Sequence, residues 1–140
     1  MIHFGTRLPI VLDASTTIAS SLTDERHPYA LAASSYVEEH GALVPALWRW
    51  EVQNTLLIAL KRKRASEPDI IKIITLLSRS PISIDPPTMF GAELALARQY
   101  ELTIYDAAYL ELAMRSRCML ATVDSALAKA AQTAGVFWIA

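Results

Sequence analysis

Several features that define common protein classes are scarce in this sequence of 140 residues. The single cysteine, Cys118, excludes an internal disulfide, and its place in an apolar run predicts a small buried core residue in a reducing compartment. No apolar run approaches the roughly 18 uninterrupted residues of a membrane span. Residues 1–7 lack the basic and apolar regions of a signal peptide, so we expect a cytosolic protein. The four glycines are scattered, which argues against a glycine-rich phosphate loop.

Neither sign of charge dominates, because 13 Lys and Arg residues face 14 Asp and Glu residues. Overall charge therefore gives no argument for nucleic-acid binding. The one basic cluster, at residues 61–64, closes a predicted helix. It is interpreted either as a solvated helix end, which the helix dipole favours, or as a phosphate contact. The histidines His3, His27 and His40 are dispersed and are predicted to lie at the surface.

The hydrophobic content is high for a chain of this kind. It reaches 53%, against 19% charged residues, and the mean hydropathy is +0.28. The length predicts one domain over residues 1–140. A partner could cover the apolar surplus, and Trp48 and Trp50 are each assigned either to the core or to such an interface.

Short apolar runs alternate with segments of helical periodicity, which predicts an α/β fold with a central parallel sheet covered on both faces by helices. The predicted strands lie at residues 8–13, 43–45, 82–84, 118–123 and 136–139. Four helices are predicted with both bounds, at residues 28–40, 46–64, 103–117 and 124–133. Three more are predicted without exact bounds: a short helix through Ile18 and Leu22, a helix capped by Ser66, and a helix that carries Phe90, Leu94 and Ala97.

Four carboxylates stand at strand exits or on apolar-faced helices: Asp13, Glu51, Asp106 and Asp124. Asp13 follows the apolar run 9–12, and Asp124 follows the run 119–123. In open α/β sheets, ligands bind beyond the carboxyl ends of the strands. Oxygen ligands select hard cations such as Mg²⁺ or Mn²⁺, so the four acids together predict a divalent-cation site.

Each acid also has a purely structural interpretation. Asp106 follows the helix-capping residue Thr103, and Asp124 precedes a helix, so both could serve only in caps. Glu51 lies on a largely apolar helix face with Asn54 one turn on, which suits either a metal site supported by Asn54 or a salt bridge at an interface.

Four segments resemble, in order, the motifs of the PIN domain family: IVLDAS at 10–15, VPALWRWEVQN at 44–54, LTIYDAAY at 102–109 and LATVDSAL at 120–127. The compact length and the run 124–136 are similar to the VapC-type toxins of toxin–antitoxin pairs. The resemblance implies a PIN-like three-layer α/β/α sandwich, with Asp13, Glu51, Asp106 and Asp124 as metal-binding acids supported by Ser15 and Thr122. It also implies a Mg²⁺- or Mn²⁺-dependent endoribonuclease that forms a homodimer and is neutralised by a small cognate antitoxin.

Three other functions stay open at this point. The chain could be a catalytically silent PIN-fold module that only docks RNA or protein, or a nuclease directed at DNA, since the metal chemistry is the same. An aspartyl-phosphate phosphotransferase would need a second aspartate two residues after Asp13, and that position is Ser15. The sequence names no particular RNA substrate.

Overall fold

The computed structural model describes residues 8–22, 27–87 and 89–140, with a four-stranded parallel sheet at its centre. The strands are β1 (Ile10–Leu12), β2 (Ala42–Val44), β3 (Ile82–Ile84) and β4 (Leu120–Ala121). Their spatial order is β3-β2-β1-β4, so the chain adds strands on one side of β1 and then returns to its other side. The carboxyl ends of β1 and β4 therefore flank the switch point at which α/β sheets bind ligands.

Seven helices lie in the described part of the chain: α1 (Ala14–Ser21), α2 (Pro28–His40), α3 (Leu47–Lys61), α4 (Glu67–Arg79), α5 (Ala92–Tyr100), α6 (Ile104–Ser116) and α7 (Ser125–Thr133). Successive side chains of a strand point to opposite faces of the sheet. Val11 accordingly packs with Leu110 of α6 and Leu127 of α7, whereas Leu12 packs with Val37 of α2. Helices thus cover both faces, and the predicted α/β/α sandwich is confirmed.

A further apolar cluster joins α3 to its neighbours. Val52 and Leu56 of α3 pack with Ala14 of α1 and with Ile73 of α4. The helix that carries Glu51 is therefore held against the helix that follows β1. This packing decides where that glutamate lies relative to the sheet.

Three predicted strands are shorter in the structure, and the first, predicted at 8–13, is reduced to Ile10–Leu12. β4 ends at Ala121 because side-chain hydroxyls take the next backbone donors: the Val123 N–H donates to Thr16 Oγ1 and the Asp124 N–H to Thr122 Oγ1, each at 3.0 Å. The predicted strand at 136–139 is reduced to an isolated bridge between Leu120 and Phe137.

One helix was predicted to carry Phe90, Leu94 and Ala97, and this prediction was wrong for Phe90. α5 begins only at Ala92, after Gly91 takes a φ of 100°, a conformation that costs glycine little. Phe90 lies outside the helix and is fully exposed, and Leu94 is also exposed, while Ala97 is buried.

Most helix ends follow their local signals. α2 begins at Pro28 and ends before Gly41, and Ser66 forms the predicted capping box with Asp69. Cys118 is buried, as predicted. Over the described residues, no helix is both long and apolar enough to cross a membrane.

Candidate metal centre

Asp13 leaves β1 directly into α1 and is only 4% exposed. Its Oδ2 accepts hydrogen bonds from the hydroxyls of Ser15, at 2.8 Å, and Thr122, at 2.6 Å. Its Oδ1 accepts the backbone N–H of Thr16 at 2.9 Å, together with the Thr16 hydroxyl. A carboxylate offers about four lone-pair positions, so this buried charge is fully hydrogen-bonded.

Two threonine hydroxyls connect Asp13 to the segment that follows β4. Each donates to the Asp13 carboxylate, and each accepts a backbone N–H, Thr16 from Val123 and Thr122 from Asp124. Thr122 was predicted as a supporting residue, whereas Thr16 was not. The available signal was its place three residues after a helix-capping aspartate, where side chain and backbone face the cap.

Asp124 caps the amino terminus of α7. Its Oδ2 accepts the N–H of Leu127 at 2.9 Å. The capping role weighed for this residue is therefore present. It leaves the carboxylate partly buried at the carboxyl end of β4, beside the switch point.

Glu51 is partly buried on α3 and accepts a 2.6 Å hydrogen bond from the Tyr109 hydroxyl of α6. Burial raises the pKa of the Glu51 carboxyl; the Tyr109 hydrogen bond opposes this rise, and the negative charges of Asp106 and Asp13 add to it. The buried Tyr109 has its own pKa raised, chiefly by burial and then by this hydrogen bond, so it stays a proton donor to Glu51. Tyr109 lies inside a quoted motif, but nothing in the sequence assigned it a partner.

Asp106 occupies the first turn of α6, and its N–H donates to Thr103 Oγ1 at 3.1 Å. Burial raises the pKa of its carboxyl, and the negative charges of Asp124 and then Asp13 raise it further. The capping interpretation is again present, and it coexists with an electrostatic link to the other acids.

These influences place the four carboxylates around one region at the carboxyl end of the sheet. Across residues 8–22, 27–87 and 89–140, however, no three Asp, Glu, His or Cys side chains are grouped closely enough to hold a metal ion. The two observations differ because charges act over longer distances than ligand bonds reach. The four acids therefore lie within electrostatic range of one another without the spacing of a closed set of metal ligands.

The donor set fits a hard divalent cation. All four candidate ligands are carboxylates, which Mg²⁺ and Mn²⁺ prefer. Burial, and then the negative charge of neighbouring acids, raises the pKa of Glu51 and Asp106, and a bound cation would offset that charge. Asp13 could release a hydroxyl donor to bind it, since Ser15 is exposed and free to turn outward.

The remaining residues singled out in the sequence lie at the surface, at helix ends or against the core. Asn54 is exposed on α3. His27 caps α2 by accepting the N–H of Ala30, and His40 lies at the end of that helix, while His3 is outside the described residues. Trp48 belongs to the core, where its Nε1–H donates to Thr17 Oγ1 at 3.0 Å, whereas Trp50 is 63% exposed.

The Tyr109→Phe variant is expected to shift the pH dependence of any activity that uses Glu51. Without the hydroxyl, the Glu51 carboxylate loses a donor that favours its charged form, so its pKa rises further and the acid limb moves to higher pH. Loss of a buried hydrogen bond should also cost about 1 kcal/mol of unfolding free energy. Denaturant melts and a pH–rate profile measure both effects.

A matched control is Tyr36→Phe, which also deletes a tyrosine hydrogen bond, here to the Leu8 carbonyl, in a part of the fold away from the acids. It should leave the acid limb in place. If both variants shift the profile equally, the Tyr109 hydroxyl does not set the state of Glu51.

Comparisons with known proteins agree with this architecture. The fold is similar to the crystal structure of PAE2754 from Pyrobaculum aerophilum, with a TM-score of 0.69 and 20% sequence identity over 92% of this chain and 85% of that one. At that identity the likeness is one of fold. No curated protein matches the sequence significantly. The model of the PIN domain matches residues 10–132, a range that includes all four acids and the whole sheet, and the chain therefore belongs to the PIN domain family.

Proposed function

We propose that this chain is a metal-dependent endoribonuclease that hydrolyses RNA phosphodiester bonds. PIN domains are generally nucleases, and commonly metal-dependent ones. The proposal is supported by the position of the acids beyond the carboxyl ends of β1 and β4, within electrostatic range of one another: Asp106 and Asp13 act on Glu51, and Asp124 and Asp13 act on Asp106. Carboxylates that repel one another do not stabilise a fold, but they suit the binding of a cation.

In this function Asp13, Glu51, Asp106 and Asp124 would hold Mg²⁺ or Mn²⁺. The bound ion would supply Lewis acidity and an activated water at neutral pH. The protein's own contribution is positional: Thr16, Thr122 and Ser15 fix Asp13 through hydrogen bonds. Tyr109 fixes Glu51, whose raised pKa suits it to orient an attacking water and accept its proton.

We further propose that the chain acts as a toxin with a cognate antitoxin and forms a homodimer. The support is the resemblance to VapC-type toxins, together with exposed apolar side chains near the acids. Trp50, Ile104 and Tyr105 are 63%, 46% and 65% exposed and line one cavity. Exposed apolar surface of this kind usually marks an interface. An arginine of the antitoxin, paired with the acids, would neutralise the site.

The direct test is a cleavage assay on single-stranded RNA and DNA of the same sequence. Wild-type protein should cut RNA with Mg²⁺ or Mn²⁺ and should stop in excess chelator. Cleavage of DNA alone would reassign the substrate. Failure to cut either, with intact fold and added metal, would leave a silent binding module.

As the pH is lowered, the rate of cleavage should begin to fall at a higher pH than it would if the carboxylates had their ordinary pKa values. The pKa values of Glu51 and Asp106 are raised, so protons compete with the cation earlier on the acid side. The effect on the metal-free fold has the opposite sense. Its stability gains from protonation at low pH, and this gain is lost as pH rises through the raised pKa values.

The two trends are measured by a pH–rate profile at one fixed, subsaturating metal concentration and by melting curves in chelator. In the Glu51→Gln variant, the melting temperature in chelator should change less with pH than in the wild-type protein. An acid limb at the pH of an unperturbed carboxylate would contradict the shifted values.

A further inference from the structure

A cavity of about 430 Å³ opens beside the acids, and two residues of the proposed centre lie in its wall. Ser15 lines it and donates to Asp13, and Glu51 lines it from α3. The cavity is therefore continuous with the acid cluster. Its volume falls within the range of sites that hold small ligands.

One wall of the cavity is apolar and the rim is polar. α1 supplies Ile18 and Ala19, and Leu22 follows directly after this helix. His27, Thr55 and Arg64 supply polar groups elsewhere. A flat aromatic base can lie on an apolar wall while its sugar and phosphate meet polar groups. The cavity thus has the character of a nucleotide site.

Arg64 reaches this cavity because of how α3 ends. The Arg64 N–H donates to the Ala59 carbonyl at 2.9 Å and the Lys63 N–H to the Leu60 carbonyl at 3.1 Å, the hydrogen bonds of a Schellman turn. Lys63 takes the left-handed conformation, with φ of 59°, that this turn requires and that glycine would adopt at less cost. The turn reverses the chain, so Arg64 lines the cavity and residues 61–63 do not.

We propose that this cavity binds the RNA nucleotide next to the cleaved bond, with Arg64 contacting its phosphate. This rests on the proposed nuclease function. Phosphodiesters are repelled by the acids, and a guanidinium at the adjoining wall offsets that repulsion. Arg64 also interacts within the protein, and its five N–H donors allow it to keep such a contact while binding phosphate.

The proposal divides the basic cluster of residues 61–64 between the two interpretations that the sequence left open. Arg64 contacts phosphate, and the other three are a solvated helix end. Arg62 is exposed and lies two residues away, outside the cavity. It offers a control of equal charge.

The test measures binding of a ten-nucleotide single-stranded RNA by fluorescence anisotropy in chelator, where cleavage does not intervene. Arg64→Ala should weaken binding about tenfold, the loss of one charge-assisted contact, whereas Arg62→Ala should change it less than about twofold. The slope of log affinity against log salt should fall by about 0.7 for Arg64→Ala, the value for one phosphate on a single strand. Arg64→Lys should restore part of the affinity because it keeps the charge but not the fork.

A second pair of variants tests the apolar wall. Ala19→Phe fills the cavity and should weaken RNA binding, while Ala95→Phe, on exposed α5, should not. Melting curves confirm that each variant is folded. An Ala19→Phe protein that binds RNA like wild type would overturn the cavity as the site.

The outcomes separate this inference from the function on which it rests. Equal RNA binding by Arg64→Ala and Arg62→Ala, in a protein that cuts RNA, overturns the inference alone. Weakened binding by Arg64→Ala, in a protein that never cuts, overturns the nuclease function and leaves an RNA-binding site. Absence of RNA binding by every form, in a protein that also fails to cut RNA with added metal, overturns both.

Discussion

The Asp106→Asn variant is expected to lose RNA cleavage by about three orders of magnitude or more, as when an essential group of a catalytic set is removed. The same change should raise the melting temperature in chelator. Asp106 is partly buried near Asp124 and Asp13, and those charges raise its pKa, so its ionised form costs the fold free energy at neutral pH. Asparagine has nearly the same shape and carries no charge.

Asp13→Asn should be equally inactive and should melt lower than wild type. The Asp13 carboxylate accepts four hydrogen bonds, and an amide NH₂ would face hydroxyl donors instead. If Thr122 accepted a hydrogen bond from that amide on its second lone pair, its own O–H would lose the acceptor that Asp13 now provides. A mispaired buried group of this kind costs about 1–3 kcal/mol.

Asp106→Asn and Asp13→Asn therefore form a matched pair. Both should be inactive, but the first should melt higher than wild type and the second lower. Glu38→Gln, an exposed acid on α2, is the control that should change neither property. An active Asp106→Asn protein would remove Asp106 from the catalytic set. A destabilised one would show that its charge supports the fold.

Addition of Mn²⁺ is expected to raise the melting temperature of the wild-type protein by about 8–11 °C. An ion present at a hundred times its dissociation constant adds about 2.7 kcal/mol to the free energy of unfolding. For a chain of this length, each kcal/mol moves the midpoint by about 3–4 °C. The physical source is the attraction of the cation to partly buried carboxylates, since burial and then the charges of neighbouring acids raise the pKa values of Glu51 and Asp106.

The double variant Glu51→Gln with Asp106→Asn is the control for metal binding. It should melt higher than wild type without metal and gain little from Mn²⁺. If the wild-type midpoint does not respond to Mn²⁺ at any concentration, the acids do not form a cation site, whatever the cleavage assay reports.

Sequence reasoning was sufficient where local signals were strong. Asp13 and Asp124 follow short apolar runs, and a parallel sheet brings such exits to one edge, so their approach followed from pattern alone. Helix ends marked by Pro28, Gly41 and Ser66 were likewise readable.

The remaining features depend on contacts between distant segments. The hydrogen bond from Tyr109 to Glu51 joins residues 58 positions apart and requires α6 to pack beside α3. The hydrogen bond from Val123 to Thr16 spans 107 positions and shortens β4 at the same time. Propensity and periodicity carry no information about such pairings, because they describe segments one at a time.

The hydrogen bond between Thr122 and Asp13 has a consequence for biosynthesis. Its partners are 109 positions apart, so during translation the aspartate emerges long before the hydroxyl that completes its shell. A nascent chain that ends before residue 120 also lacks β4 and Asp124, and it therefore contains only part of the acid set. Contacts of such long range form late in folding. Under the proposed nuclease function, the nascent polypeptide on the ribosome therefore stays inactive until its carboxyl-terminal segment has been synthesised. Catalytic activity then arises only when the fold is complete.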